Sequence, residues 1–318
     1  MSEAPPANRN DSRMAWIAED PASQAVLELA RKIADTSTTL LITGESGTGK
    51  DHLARLIHEL GPRRDAPFLK IDCASLPQEL VESELFGHER GAFTGAVDRK
   101  LGRLEMADSG TIVLDEVAAL SPATQSKLLR VLEERQFERL GGTETITITA
   151  RLIALTNADL ARLVSEGQFR EDLYFRLSVL TVPVPALRGR PADILPLAKA
   201  LLERGARVHG RKDVSLSDAV VKMLTSYSWP GNVRELRNAL ERALVFSGNS
   251  SLIPEDFPEN VRTAELAYGA GLRSLEDLER DAIRATLEAT HYKIGKSAQI
   301  LGISRKTLLD KREKYGLN

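Results

Sequence analysis

Seven consecutive residues, Gly44-Glu45-Ser46-Gly47-Thr48-Gly49-Lys50, match the spacing G-x-x-x-x-G-K. In that pattern glycines let backbone N–H groups turn inward on phosphate oxygens, and the lysine supplies a point charge for the outer phosphates. Asp51 follows where a serine or threonine hydroxyl is usual. Magnesium is then expected to be held by a carboxylate elsewhere or through water. Such a carboxylate stands at Asp115-Glu116, directly after the aliphatic run Thr111-Ile112-Val113-Leu114. Asp115 is the candidate metal ligand and Glu116 the candidate base for an attacking water.

These residues need elements to position them. Thr39 to Thr43 reads as a short buried strand, and Leu53, Leu56, Ile57 and Leu60 are spaced for one buried helix face. The strand–loop–helix order places the helix dipole behind the phosphates. Further strands are expected at Phe68–Ile71, Thr111–Leu114, Leu152–Thr156 and Val179–Val182, with helices over Pro21–Ala34, Pro77–Phe86 and Ser121–Arg135. Ser121 is the expected N-cap, with Pro122 at the first helical position. Alternating strands and helices predict a three-layer α/β domain with a largely parallel sheet. Past Pro185 the pattern is helical from Asp193 to Leu244, and prolines and glycines from Ile253 to about Leu272 mark a linker. From Ser274 onward the chain is helical again. Ser304 is placed to cap a last helix bearing Arg305, Lys306, Thr307, Lys311 and Arg312. Two helices around the Gly302 turn, the second basic, form a helix-turn-helix pattern. A solvated charged face would produce the same composition.

The hexapeptide Gly91-Ala92-Phe93-Thr94-Gly95-Ala96, preceded by Leu85 to Arg90, together with the phosphate loop and the stretch Gly102 to Glu116, resembles the sigma-54-dependent transcriptional activators. These are AAA+ ATPases. The resemblance covers about Ile17 to the C-terminus. It implies an AAA+ P-loop core over 15–186, an all-α lid over 187–258, a linker over 259–272 and a Fis-type helix-turn-helix domain over 273–318, after a disordered leader over 1–14. It implies ATP and Mg2+ as cofactors. It also implies that Gly91 to Ala96 contact sigma-54, with Phe93 and Thr94 foremost. Asn157 with Thr156 matches the first sensor, and Arg234 in Trp229 to Leu236 the second, with Asn232 read as the cap of that helix. Arg170 and Arg176 match the arginines delivered in trans within a ring, expected to be a hexamer. Many relatives have Asn where this chain has Asp72; an Asp there is expected to face Glu116 as a like charge and raise one of the two pKa values. The Fis-type likeness favours DNA as the partner of the last helix, at upstream enhancer sites. Only about twenty residues precede the ATPase domain, as in short relatives controlled by a separate regulatory protein.

The whole-chain properties agree. The chain has 318 residues, a net charge of −2 and one cysteine, Cys73. No global basicity pulls it to nucleic acid, so DNA binding must be local. No disulfide can form within the chain, and no apolar run is long enough to span a membrane. A bacterial cytoplasmic protein is expected. Two other readings stay open on these residues alone: a DNA-binding regulator using ATP only as a ligand switch, and a non-transcriptional AAA+ remodeller of another protein.

Overall fold

The structure, a computed structural model, describes residues 16–262, 275–290 and 292–317. The leader and most of the linker fall outside them. The chain divides into two compact units, 1–259 and 260–318.

The first unit is built on strands β1 (Leu40–Thr43), β2 (Phe68–Asp72), β3 (Thr111–Asp115), β4 (Arg151–Thr156) and β5 (Leu180–Pro183). They form one parallel sheet in the order β2-β3-β4-β1-β5. Side chains alternate between faces, as a pleated strand requires. Leu41, Ile112, Leu114, Leu152 and Ala154 enter one core; Leu40, Ile42, Val113, Ile153 and Leu155 enter the other. Every residue of β4 is buried, which explains its unbroken aliphatic reading. Helices α1 (Pro21–Ile33) and α2 (Lys50–Leu60) cover the second face. The first is covered by α3 (Gln78–Phe86), α4 (Pro122–Glu134), α5 (Leu160–Ser165) and α6 (Glu171–Leu177). Ser121 caps α4 by accepting the Thr124 N–H, with Pro122 inside the first turn. Parallel strands put their carboxyl ends on one edge, where ligands of open α/β sheets sit.

Two small antiparallel pairs escape the sequence pattern. Gly87–His88 pairs with Lys100–Leu101, and Gln136–Glu138 with Thr145–Thr147. Each strand is too brief, and too polar, to show a period of two. A side chain at Gly87 would fall 2.5 Å from the Gly102 nitrogen and the Lys100 oxygen, so the crossing needs glycine there.

The lid comprises α7 (Pro191–Val208), α8 (Asp218–Ser226) and α9 (Asn232–Phe246). A parallel pair, Ser215–Leu216 with Ser251–Leu252, closes it. Residues past Ile253 still belong to this unit: Phe257 is 2% exposed, so the compact lid outlasts the proline signal. Trp229 is fully buried and donates its indole N–H to the Leu224 carbonyl. Asn232 is not the N-cap of α9. It sits inside the helix at φ 53° with Gly231 as N-cap, because its amide is engaged elsewhere.

In the second unit α10 (Leu275–Ala289), α11 (Ile294–Ile300) and α12 (Arg305–Lys314) surround a small core of Ile283, Leu287, Ala298, Leu308 and Leu317. Gly302 turns at φ 66° between α11 and α12. Ser304 caps α12 by accepting the Thr307 N–H. Among the described residues no helix is long and apolar enough to cross a membrane.

One buried polar knot joins α1 to α7. Asp193, 0% exposed, accepts the N–H groups of Glu19 and Asp20 at 2.8 Å and the Ser23 hydroxyl, and lies 4.0 Å from Arg190. Arg190 in turn donates to the Thr48 carbonyl at 2.6 Å. Burial lowers the pKa of Arg190, and Asp193 opposes the shift. Asp193→Ala strands a buried guanidinium and orphans two N–H groups. We expect it to cost about 3–5 kcal/mol in urea denaturation. A loss of only about 0–1 kcal/mol, as for an exposed ion pair, would contradict this.

Candidate functional site

The chain leaves β1 into the loop 44–49, where Gly44, Gly47 and Gly49 all have positive φ. A side chain on Gly47 would meet the Gly231 carbonyl at 2.5 Å, so the lid closes directly over the loop. Lys50 opens α2 and is 7% exposed. Its ammonium donates to the carbonyls of Gly44 at 2.8 Å and Glu45 at 3.2 Å, and lies 3.9 Å from Glu116. Burial lowers its pKa, while Glu116, Asp115 and Asp51 favour the charged form. A cavity of about 370 Å³ is lined here by Ser46, Lys50, Asp115, Glu116 and Arg234, among others. A larger one, about 810 Å³, lies in the lid beside α7 and α8, away from these groups. We place the chemistry in the smaller cavity, because its charged groups converge there.

The lid grips the loop at several points. Asn232 donates to Glu45 and to the Ser46 carbonyl, both at 3.1 Å, and accepts the Leu187 N–H at 2.8 Å. The Val233 N–H donates to the Gly47 carbonyl at 3.0 Å. Arg234 donates to the Ser46 hydroxyl at 2.6 Å. Arg188 forks onto both carboxylate oxygens of Glu45. The Arg188 fork, then Asn232, holds the Glu45 carboxyl at about 2. Arg188 was not marked by the sequence, and neither were Arg204 and Arg237, which also line the cavity.

Asp115 ends β3, and Glu116 follows at φ 53°. That left-handed conformation costs a non-glycine on the order of 1–3 kcal/mol. It is held by the Asn157 N–H, which donates to a Glu116 carboxylate oxygen at 3.1 Å. The backbone of Asn157, rather than its exposed side chain, thus ties β4 to the acidic pair. Thr156 is buried and accepts the Ala158 N–H through its hydroxyl.

Lys70 is a participant that sequence reasoning missed. Its ammonium bridges Asp51 and Asp115, the second at 2.7 Å. The one available signal was a lysine inside an otherwise apolar strand. Asp72 pairs across the sheet with Asp115, the residue before Glu116. Its carboxylate turns back to accept the N–H groups of Ala74 and Ser75. The thiol that feels all three carboxylates is Cys73, pushed to about 12 chiefly by burial.

Arg170 and Arg176 are exposed, and neither lines the cavity of their own chain. Arg170 forks onto Asp172 at 3.0 and 2.7 Å and donates to Ser126. Buried Phe169, Leu173 and Leu177 anchor α6 beneath them.

In the loop Gly91–Ala96, Phe93 is 43% exposed and packs edge-on against His88 at 5.0 Å. Thr94 and Gly95 are exposed; Ala96 is buried, because its carbonyl accepts the Gly91 N–H and closes the loop. Ala96 is therefore not part of the displayed tip. The loop is tied down at its base by Arg139, 4% exposed. This guanidinium pairs with Glu89 at 2.9 Å, Glu105 at 2.7 Å and Glu144 at 2.7 Å. Three carboxylates, Glu105 foremost, hold its pKa above the ordinary range.

On α12, Arg305 and Lys306 are exposed. Lys311 instead pairs with Glu279 at 2.6 Å, Lys314 pairs with Glu276, and Arg312 donates to the Leu317 carbonyl. Lys311 and Arg312, which the sequence assigns to DNA contact, thus also make contacts within their own unit.

Comparison with known proteins accords with these features. The family description "Sigma-54 interaction domain" matches residues 16–183, "AAA+ ATPase lid domain" residues 188–270, and "Bacterial regulatory protein, Fis family" residues 274–315. The chain is 42% identical over 312 residues to the regulatory protein AtoC of Escherichia coli (strain K12), covering 95% of this chain and 68% of AtoC. It is 43% identical over 299 residues to the nitrogen fixation protein AnfA of Azotobacter vinelandii, covering 93% of this chain and 56% of AnfA. A crystal structure of NtrX from Brucella abortus in complex with ATP matches with a TM-score of 0.73 at 33% identity, covering 97% of this chain and 71% of that one. The chain thus spans between 56% and 71% of these three proteins.

The Glu45 latch predicts a pH dependence. Its folded pKa, about 2, lies below the ordinary 4.5, so the folded state favours the charged form. The contribution is complete above about pH 4.5 and fades as pH falls toward 2. The urea midpoint of the wild type should exceed that of Glu45→Gln at pH 6, and the gap should close between pH 4.5 and 2. A gap constant over that range would contradict the latch.

Proposed function

The chain belongs to the sigma-54-dependent regulator family, and we propose that it hydrolyses ATP to remodel sigma-54 RNA polymerase from upstream enhancer DNA. Members of this domain family are AAA+ ATPases, and a structural relative is seen with ATP. The observation that carries the proposal is a division of labour in the geometry. Lys50, Asp115, Glu116 and Arg234 converge on one cavity, whereas Arg170, Arg176 and the Phe93 loop face outward.

In this reading the loop N–H groups, the α2 N-terminus and Lys50 hold the triphosphate. Gly49 leaves room for close approach, since a side chain there would meet nothing nearer than the Trp16 ring at 3.8 Å. Among the described residues no three His, Cys, Asp or Glu side chains form a metal cage. That fits magnesium, which takes one or two carboxylates and leaves its other positions to phosphates and water. Asp115, with Asp51 beside it, would hold the ion, whose charge would neutralise the β- and γ-phosphates. Glu116 polarises the attacking water, and the Asn157 N–H keeps its carboxylate aimed. Arg170 and Arg176 reach the nucleotide of the next chain in a ring, here a hexamer. There they neutralise charge developing on the transferred phosphoryl. Arg234 and the Glu45 latch report nucleotide state to the lid, and Arg139 links the base of the Gly91–Ala96 loop to the neighbouring hairpin. Phe93 and Thr94 press on sigma-54. Arg305, Lys306 and the α12 N-terminus, capped by Ser304 and Thr307, meet DNA. Such an activator works with the polymerase in the bacterial cytoplasm.

Two variants separate the steps. Glu116→Gln should bind ATP and lower turnover by about 10²–10⁴-fold. Thr94→Ala should keep steady-state ATPase activity and lose open-complex formation at a sigma-54 promoter in vitro. Turnover undiminished in the first variant, or full promoter opening by the second, would overturn the assignment. A wild-type chain that opens the promoter with a non-hydrolysable ATP analogue would favour the ligand-switch reading instead.

A further inference from the structure

Lys70 lies on β2, and its partner across the sheet is Val113, two residues before Asp115. From there its side chain runs along the sheet edge to the acidic end of the strands. It pairs with one oxygen of Asp51, and at 2.7 Å with one oxygen of Asp115. Among the described residues the other oxygen of each carboxylate has no side-chain partner. The Lys70 side chain is 36% exposed and that of Asp115 16%, so neither charge is fully screened by water. At this end of the cavity Asp51 and Asp115 pair with Lys70, and Glu116 lies 3.9 Å from Lys50. A pair of carboxylates bridged by an ammonium is a poor site for a bare divalent cation: the ion must either displace the lysine or sit beside its positive charge. Magnesium arriving with a triphosphate brings its own compensating anions and needs only the two remaining oxygens.

We propose that Lys70 is a positioning residue, a built-in counter-ion that clamps one oxygen of Asp115 and one of Asp51. It thereby keeps the carboxylate pair from holding a divalent cation until a nucleotide supplies phosphates. The metal and the nucleotide then enter as a unit, and the two carboxylates are already oriented when they arrive. This rests on the reading of Asp115 as the magnesium carboxylate.

The test is Mn2+ binding to the nucleotide-free 318-residue chain, followed by the loss of the free-ion paramagnetic resonance signal. A second arm measures the Mg2+ dependence of ADP binding by titration calorimetry. The wild type should bind Mn2+ weakly, and ADP tightly only with Mg2+. Lys70→Met and Lys70→Gln should each bind Mn2+ without nucleotide about tenfold tighter or more. Lys70→Arg, which keeps the charge, should resemble the wild type, and Asp115→Asn added to Lys70→Met should cancel the gain. Circular dichroism melts establish that each variant is folded. If Lys70→Met and Lys70→Gln bind Mn2+ no better than the wild type while wild-type ADP binding needs Mg2+, the Lys70 proposal fails and the nucleotide reading stands. If wild-type ADP binding is indifferent to Mg2+, the reading of Asp115 fails, and this proposal with it.

Discussion

The ammonium of Lys50 is the charge on which the rest of the first unit depends. It is nearly buried, held against two loop carbonyls and 3.9 Å from Glu116. A charge removed from water is costly unless it is surrounded by partners of the opposite sign. Here the partners come from separate elements. The carbonyls come from a loop at the end of β1, the carboxylate from the end of β3, and the lysine itself from the first turn of α2. The parallel sheet puts those ends side by side, and its two apolar faces fix them in register. What such an arrangement recognises best is a polyanion, because phosphate oxygens meet the ammonium, the inward N–H groups and the helix dipole together.

Around that centre the contacts fall into two tied-down regions. One joins the loop to the lid through Glu45, Arg188 and Asn232. Asp193 and Arg190 reinforce it from the α1 side. The other gathers Glu89, Glu105 and Glu144 on Arg139 at the base of the Gly91–Ala96 loop. Both are networks of charged groups with several partners each, rather than single pairs. A network shifts as a whole when one charge is added or withdrawn. In the proposed function that is how a change at the phosphates would reach the lid, and a second charged network would reach the displayed loop.

Much of this was legible in the sequence, for physical reasons that differ by element. The central strands β1, β3 and β4 show because both faces of the sheet are buried there, so their residues must be aliphatic. The phosphate loop shows because its glycines adopt positive φ beside a lysine at fixed spacing. The Phe93 hexapeptide shows only as a resemblance; nothing in its composition says what it touches. The hairpins at Gly87 and Gln136 do not show, because two or three residues carry no periodicity. Lys70, Arg188 and Arg139 do not show either. A lysine or arginine looks alike whether solvated or paired, and its partners lie far along the chain. The same ambiguity covers Lys311 and Arg312, whose contacts within their own unit leave no mark on the sequence. Asn232 looked like a helix cap because its side-chain bonds to the phosphate loop depend on tertiary packing alone.

The central claim is that one chain supplies Lys50, Asp115 and Glu116 while its neighbour supplies Arg170 and Arg176. Mixing two inactive variants tests it most directly. Glu116→Gln chains keep the arginines but lack the base, and Arg170→Ala chains keep the base but lack the arginine. Mixed oligomers contain interfaces where an intact Glu116 faces an intact Arg170. Steady-state ATP hydrolysis should then rise above the sum of the two variants measured alone. If chemical cross-linking shows that the variants co-assemble and hydrolysis still does not rise, the site is not shared between chains and the account is wrong.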